Sequence, residues 1–267
     1  EARELLKLIK CEFMKLKRKK FVSFVVFSAL LFPIPFSALI LKGNVGDLNA
    51  FDSLYDMLFC MAVPIMLPCI LGIIAAMLFY MERDNSTLKN LIVIPIQKWK
   101  IATSKIVVLY FIGLLFSCVT LLSSMVGGLI VGADLRNIGT KITIAAVTAI
   151  LYTTGTLPII IAIVKLNRSY IFAIILTFFY TMFGFLLAFT GQFTSDNQIM
   201  KVLTSILPTP IIYRWQASRL IEQGTTAFEV WQPYFLKLWI VALTIFILGG
   251  ISYFAIIRIY QKQERQV

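Results

Sequence analysis

The sequence predicts an all-α integral membrane protein, and three observations carry that expectation. Of its 267 residues, 59% are hydrophobic and only 14% are charged, against about 25% charged in an average soluble domain. The apolar residues are gathered into runs long enough to cross a hydrocarbon core, which takes about 20 residues of helix. The runs are continuous, without the alternation of a membrane β-barrel, so each must satisfy its backbone hydrogen bonds as a helix.

Six runs are predicted to span, at about residues 21–41, 57–81, 106–133, 142–164, 170–191 and 235–260. The first fills a whole span and contains Pro33 and Pro35, so it reads as a membrane helix rather than a cleaved signal peptide. Lys237, near the start of the last, can snorkel to the interface. With the N-terminus inside, the inner side collects 18 Lys/Arg and a net charge of +12, and the outer side collects seven and a net charge of zero. The positive-inside rule therefore places both termini in the cytoplasm. The basic excess then faces anionic lipid, and no nucleic-acid partner is needed.

Ahead of the first span, Leu5, Ile9, Phe13 and Leu16 recur at helical spacing with lysines opposite. Residues 1–20 are expected to form an amphipathic interfacial helix. It serves either as a basic topology anchor or as an elbow that also packs on a partner. Between spans two and three, residues 82–105 form a charged loop. Asp84, Asn85 and Ser86 suit an N-cap, Leu88, Leu91 and Ile92 share one face, and Pro95 stops the helix. Lys98, Lys100 and Lys105 mark the return to the membrane. The β-branched run 92–94 leaves a short extended piece as an alternative. Such an apolar face folds back on lipid headgroups or docks in a groove of a soluble partner.

Residues 192–233 are the longest stretch between spans. Ile199, Val202, Leu203 and Ile206 are helically spaced, and Tyr213, Trp215, Trp231 and Tyr234 suit an interfacial aromatic belt. Short helices dipping into or lying on the outer face are expected there. Cys60, Cys69 and Cys118 sit in apolar runs and Cys11 in the basic lead; all four read as small buried hydrophobes. The chain has no histidine, which removes Ser-His and Cys-His catalysis and His-ligated metals. It has no GxxxxGK[ST] of its own. The acidic pairs Asp52/Asp56 and Glu82/Asp84 are placed in loops, and no GxSxG is present. No catalytic residue or metal site is expected. No charge lies deep in the first three spans, so an ion-coupled mechanism is disfavoured, and an amphipathic-peptide or lipid-like substrate is favoured. Pro33, Pro35, Pro64, Pro68 and Pro158 can each kink a span. The first four are the candidate hinges, because their spans lie nearest the loop.

Two short motifs together with the six-span layout resemble the membrane subunits of type-2 ATP-binding-cassette exporters. They are E-F-x-K-L-K-R-K-K at 12–20, with Glu12, Phe13, Lys15 and Lys17, and E-R-D-x-S-T-L-K-x-L-x-x-x-P at 82–95. More narrowly, the chain is similar to permeases of bacterial lantibiotic-immunity and bacitracin-resistance systems. The resemblance implies that Glu82, Asp84, Ser86, Thr87, Leu88, Lys89, Leu91, Ile92 and Pro95 belong to a coupling helix held in a cleft of an ATPase subunit. It implies that the lead is a connecting helix near that ATPase, and that the outer segment is re-entrant. It further implies two ATPases, which bind ATP and Mg, a second permease (identical or paralogous), and expulsion of an amphipathic antimicrobial peptide from the bacterial cytoplasmic membrane. A subunit that senses or scaffolds such a peptide without moving it is the alternative.

Overall fold

The computed structural model describes residues 2–17, 50–84, 97–166, 169–190 and 198–264. These form α1 (Ala2–Lys17), α2 (Ala50–Met57), a π turn (Leu58–Ala62), α3 (Val63–Asp84), α4 (Lys98–Ile130), α5 (Ile138–Leu166), α6 (Tyr170–Thr190), α7 (Gln198–Ile206), α8 (Pro208–Leu220), α9 (Thr226–Trp231) and α10 (Leu238–Glu264). The described residues contain no strand. Five helical stretches are long and apolar enough to cross a membrane: Phe51–Tyr80, Trp99–Ile130, Ile138–Leu166, Tyr170–Thr190 and Leu238–Lys262. The sixth expected span, at 21–41, lies outside the described residues, together with Pro33 and Pro35.

The bundle is arranged around α5, which packs against α3, α4, α8 and α10. Of its most apolar window 72% is buried, against 33% for α6 and α10, which present most of their apolar surface outward. Interhelical hydrogen bonds accompany the packing, as expected where lipid offers backbone and hydroxyl groups no partner. Ser117 donates to the Ala145 carbonyl (2.8 Å), Tyr180 donates to the Gly155 carbonyl (2.8 Å), and Tyr110 and Thr154 share a hydrogen bond of 2.8 Å.

Span two begins earlier than expected. Asp52 and Asp56 lie on α2, a helix continuous with the span, not in a loop. The reason is a fully buried stripe, Phe51, Leu54, Tyr55 and Leu58, at helical spacing; it carries the two aspartates along on the neighbouring face. Glu82 and Asp84 likewise belong to the last turn of α3 rather than to a loop. The π turn then precedes Pro64. The Val63 amide reaches back five residues to the Leu58 carbonyl. In that register the donor for the Phe59 carbonyl would be residue 64, a proline with no N–H. Gln216 of α8 fills the gap: its amide NH2 donates to the Phe59 carbonyl (2.6 Å), and its oxygen accepts from the Tyr152 hydroxyl (3.2 Å). Pro68 lies inside α3, and Pro158 inside α5.

The segment before the last span is built around α8, which is buried on nearly every side between α5, α6, α10 and the π turn. Its first residue, Pro208, reaches Gly155 near the middle of α5. A Cβ there would stand 2.9 Å from the proline, so glycine permits the approach. Pro208 and Pro210 occupy the first helical turn, where amides have no intrahelical acceptor to lose. The aromatic-belt expectation is corrected here. Tyr213, Trp215 and Trp231 are buried in the protein, and Tyr213 and Trp231 pack together at 5.4 Å, because α8 is inserted and not laid on the surface. In α7, Ile199, Val202 and Ile206 point away from the described bundle, while Leu203 is half-buried. Cys11 and Cys118 are also exposed on the described chain, not buried as expected.

Candidate functional site

At the end of the bundle where α3 finishes and α4 starts, charge has been drawn inside. α4 has 33 residues, about 50 Å of helix against a hydrocarbon core of about 30 Å. Its first turns therefore project beyond the core. Ile101, Ala102, Val108, Leu109 and Ile112 form a buried stripe on α4, and Lys105 sits in the middle of it with no exposure.

The fold supplies partners for that ammonium from two other elements. Lys105 Nζ donates to Glu12 Oε2 of α1 (3.2 Å) and to the Leu78 carbonyl of α3 (2.9 Å), and it lies 5.7 Å from the centroid of the Phe79 ring. The other oxygen of Glu12 accepts from Lys15 (2.7 Å). Glu12 itself is only 3% exposed. One lysine thus ties α1, α3 and α4 together. A second pair, an exposed acid on a buried lysine, joins α1 to α4: Lys100 donates to Glu4 (2.9 Å). That hydrogen bond and the nearby ammonium hold the Glu4 carboxyl below its usual range. Phe13 packs edge-on against Phe111 at 5.0 Å, Leu16 is buried, and Leu8 and Ile9 pack on the same core. Leu5 is half-buried, and Lys17 is exposed. α10 joins the cluster through Tyr260, edge-on to Phe79 at 5.8 Å, and through Tyr253, whose hydroxyl shares a 2.8 Å hydrogen bond with Thr103.

The amphipathic lead therefore docks along α4 of its own chain. The lysines expected to mark a return to the membrane do more than that: Lys100 and Lys105 face the protein. Ser86, Thr87, Leu88, Lys89, Leu91, Ile92 and Pro95 lie outside the described residues, and of Glu82 and Asp84 the backbone alone is described. What the structure does give is the pair of helices from which that loop leaves and to which it returns, α3 and α4, both bound to α1 through Lys105. The signal for Lys105 was present in the sequence, as a lone cation inside an apolar i, i+3, i+4 stripe. Gln216 carried no comparable signal, because its acceptor is created by a proline far away in the chain.

The described residues are those of a multi-span helical membrane protein whose amphipathic helix is clamped against α3 and α4 at one end. Residues 8–184 match the family described as ABC-2 family transporter protein. The match covers about two-thirds of the chain, from α1 through most of α6, and the chain belongs to this family. It is therefore a membrane-embedded permease component. Such components are generally non-catalytic, and membership implies an ABC ATPase partner that hydrolyses ATP on a separate subunit. No curated protein matches the sequence.

Proposed function

We propose that this chain is the membrane subunit of an ATP-driven exporter that removes an amphipathic antimicrobial peptide, of lantibiotic or bacitracin type, from the bacterial cytoplasmic membrane and so gives immunity or resistance. Two ATPase subunits carrying ATP and Mg pair with this permease and a second one, identical or paralogous. Both chain termini lie on the cytoplasmic side. Residues 82–95 dock in the ATPase as the coupling helix.

The observation that carries this reading is the three-way clamp at Lys105. A push that enters α3 and α4 would reach α1 through the Lys105 contacts. Rigid-body transmission of ATPase closure needs such a unit. The small bonding irregularity at the π turn and Pro64 lies on the same span, farther from the loop, where a second packing of that span would have to originate.

Purification of the tagged chain from native membranes in mild detergent should recover a near-stoichiometric soluble ATPase. Leu91→Glu should reduce that ATPase to background while leaving membrane insertion intact. Undiminished recovery with Leu91→Glu would sink the docking assignment. ATP-dependent loss of cell-bound peptide separates export from sensing.

A further inference from the structure

At the end of the bundle opposite α1, a cavity of about 440 Å³ is walled by α2, the first turn of α5 with the residues leading into it, and the end of α8. Its size falls within the range of small-ligand pockets, about 300–1,000 Å³. Six charged side chains line it: Asp52, Asp56, Glu222, Arg136, Lys141 and Arg219.

These charges are unequally committed. Lys141 is spent on Asp52, at 2.6 Å, and its ammonium lies 4.3 Å and 4.4 Å from the ring centroids of Phe51 and Tyr55. Arg136 pairs loosely with Asp134 (3.8 Å) in the open. Arg219 and Glu222 are exposed at the rim. Asp56 is different: it is half-buried, lines the cavity, and makes no hydrogen bond or ion pair among the described residues. Its charged neighbours are Lys141, Asp52 and Glu222. The cation among these, Lys141, is already paired with Asp52, and a partly buried carboxylate without a hydrogen-bonding partner is costly. Among the described residues, no group of three His, Cys, Asp or Glu could hold a metal ion, which disfavours a divalent cation. The wall already shows what it accommodates. Carboxylate and aromatic faces are the chemistry that holds an ammonium, and Lys141 is held in that way.

We propose that this cavity binds a primary ammonium group, with Asp56 as its carboxylate partner, and that the group is a lysine side chain or N-terminal amine of the exported peptide. The assignment of the peptide rests on the function proposed above; the ammonium site does not. A phosphatidylethanolamine headgroup carries the same chemistry.

The test uses the full chain in nanodiscs of phosphatidylcholine and a fluorescent amphipathic peptide of leucines and lysines, compared with the same peptide acetylated at every amine. The unmodified peptide should bind more tightly. Asp56→Asn should weaken it roughly tenfold and leave the acetylated peptide unchanged, whereas Asp56→Glu should retain the preference. Thermal unfolding of each variant controls for folding. Loss of the Asp56-dependent preference when phosphatidylethanolamine is added would keep the site and make lipid its competing occupant. Equal affinity of both peptides, or equal affinity of wild type and Asp56→Asn, overturns the proposal. Because no ATPase is present, binding without ATP-dependent peptide clearance in cells would overturn export and leave the site standing. Clearance without Asp56-dependent binding would do the reverse.

Discussion

Each end of this bundle pulls a lysine onto an acid from a different helix, but the two are enclosed very differently. The side chains of Lys105 and Glu12 are 0% and 4% exposed, and a backbone carbonyl completes the cluster. Those of Lys141 and Asp52 are 10% and 38% exposed, and they border a cavity with room for another molecule. A sealed ion pair cannot exchange partners without unpacking its helices, so it suits force transmission. A pair set in an open wall can admit a third group, so it suits recognition. A lysine–carboxylate pair is suited to opposite purposes according to how much water reaches it.

The contrast can be broken most severely at the sealed end. Lys105→Met leaves buried Glu12 with only the half-exposed Lys15 and should cost about 3 kcal/mol, whereas replacing both partners by apolar residues can be close to neutral. Thermal unfolding of the purified chain should therefore show Lys105→Met well below wild type, with Lys105→Met/Glu12→Leu recovering most of the loss. A double variant as unstable as the single one would mean that the pair is not the clamp. At the open end, Lys141→Met releases a carboxylate that water can reach. The expected loss is about 1 kcal/mol, measured the same way, and a loss matching that of Lys105→Met would erase the distinction between the ends.

The smallest effect concerns the exposed rim of the clamp. The Glu4 carboxyl is held below its usual value by Lys100. Its contribution to docking α1 is therefore fully present above the ordinary carboxylate range and is lost as pH falls through its lowered value. Spin labels on α1 and α4 should report a slight loosening as pH falls below the ordinary carboxylate range, absent in Glu4→Gln. Loosening that persists in Glu4→Gln would assign the acid sensitivity to another group.

The described spans were legible because continuous apolar runs have few other uses. Their ends were less so. Asp52 and Asp56 look like punctuation in the sequence, and only the buried stripe Phe51, Leu54, Tyr55, Leu58 shows that the helix runs through them. α8 misleads for a different reason: two prolines, Thr209, Arg214 and Gln216 within thirteen residues suggest a surface piece. They are tolerated inside because the prolines stand where no amide is needed and Gln216 meets a carbonyl that Pro64 left without a donor. Tyrosine and tryptophan have an apolar body and a polar tip, so Tyr213 and Trp215 fit a membrane belt and a protein interior equally well. Residues 85–95 lie outside the described residues, and the role proposed for 82–95 rests on the sequence motif and on the helices that flank it.

The π turn between Leu58 and Ala62 can also be viewed as arithmetic. A turn of this kind holds one residue more than an α-helical register needs, and each residue is worth about 100° of rotation and 1.5 Å of rise. Were that surplus residue taken up into regular α-helix, everything beyond it, down to Asp84, would turn by about that angle and shift by about that distance relative to α2. Span two is in this sense a screw with one thread to spare, and Gln216 is the pawl that holds its present setting.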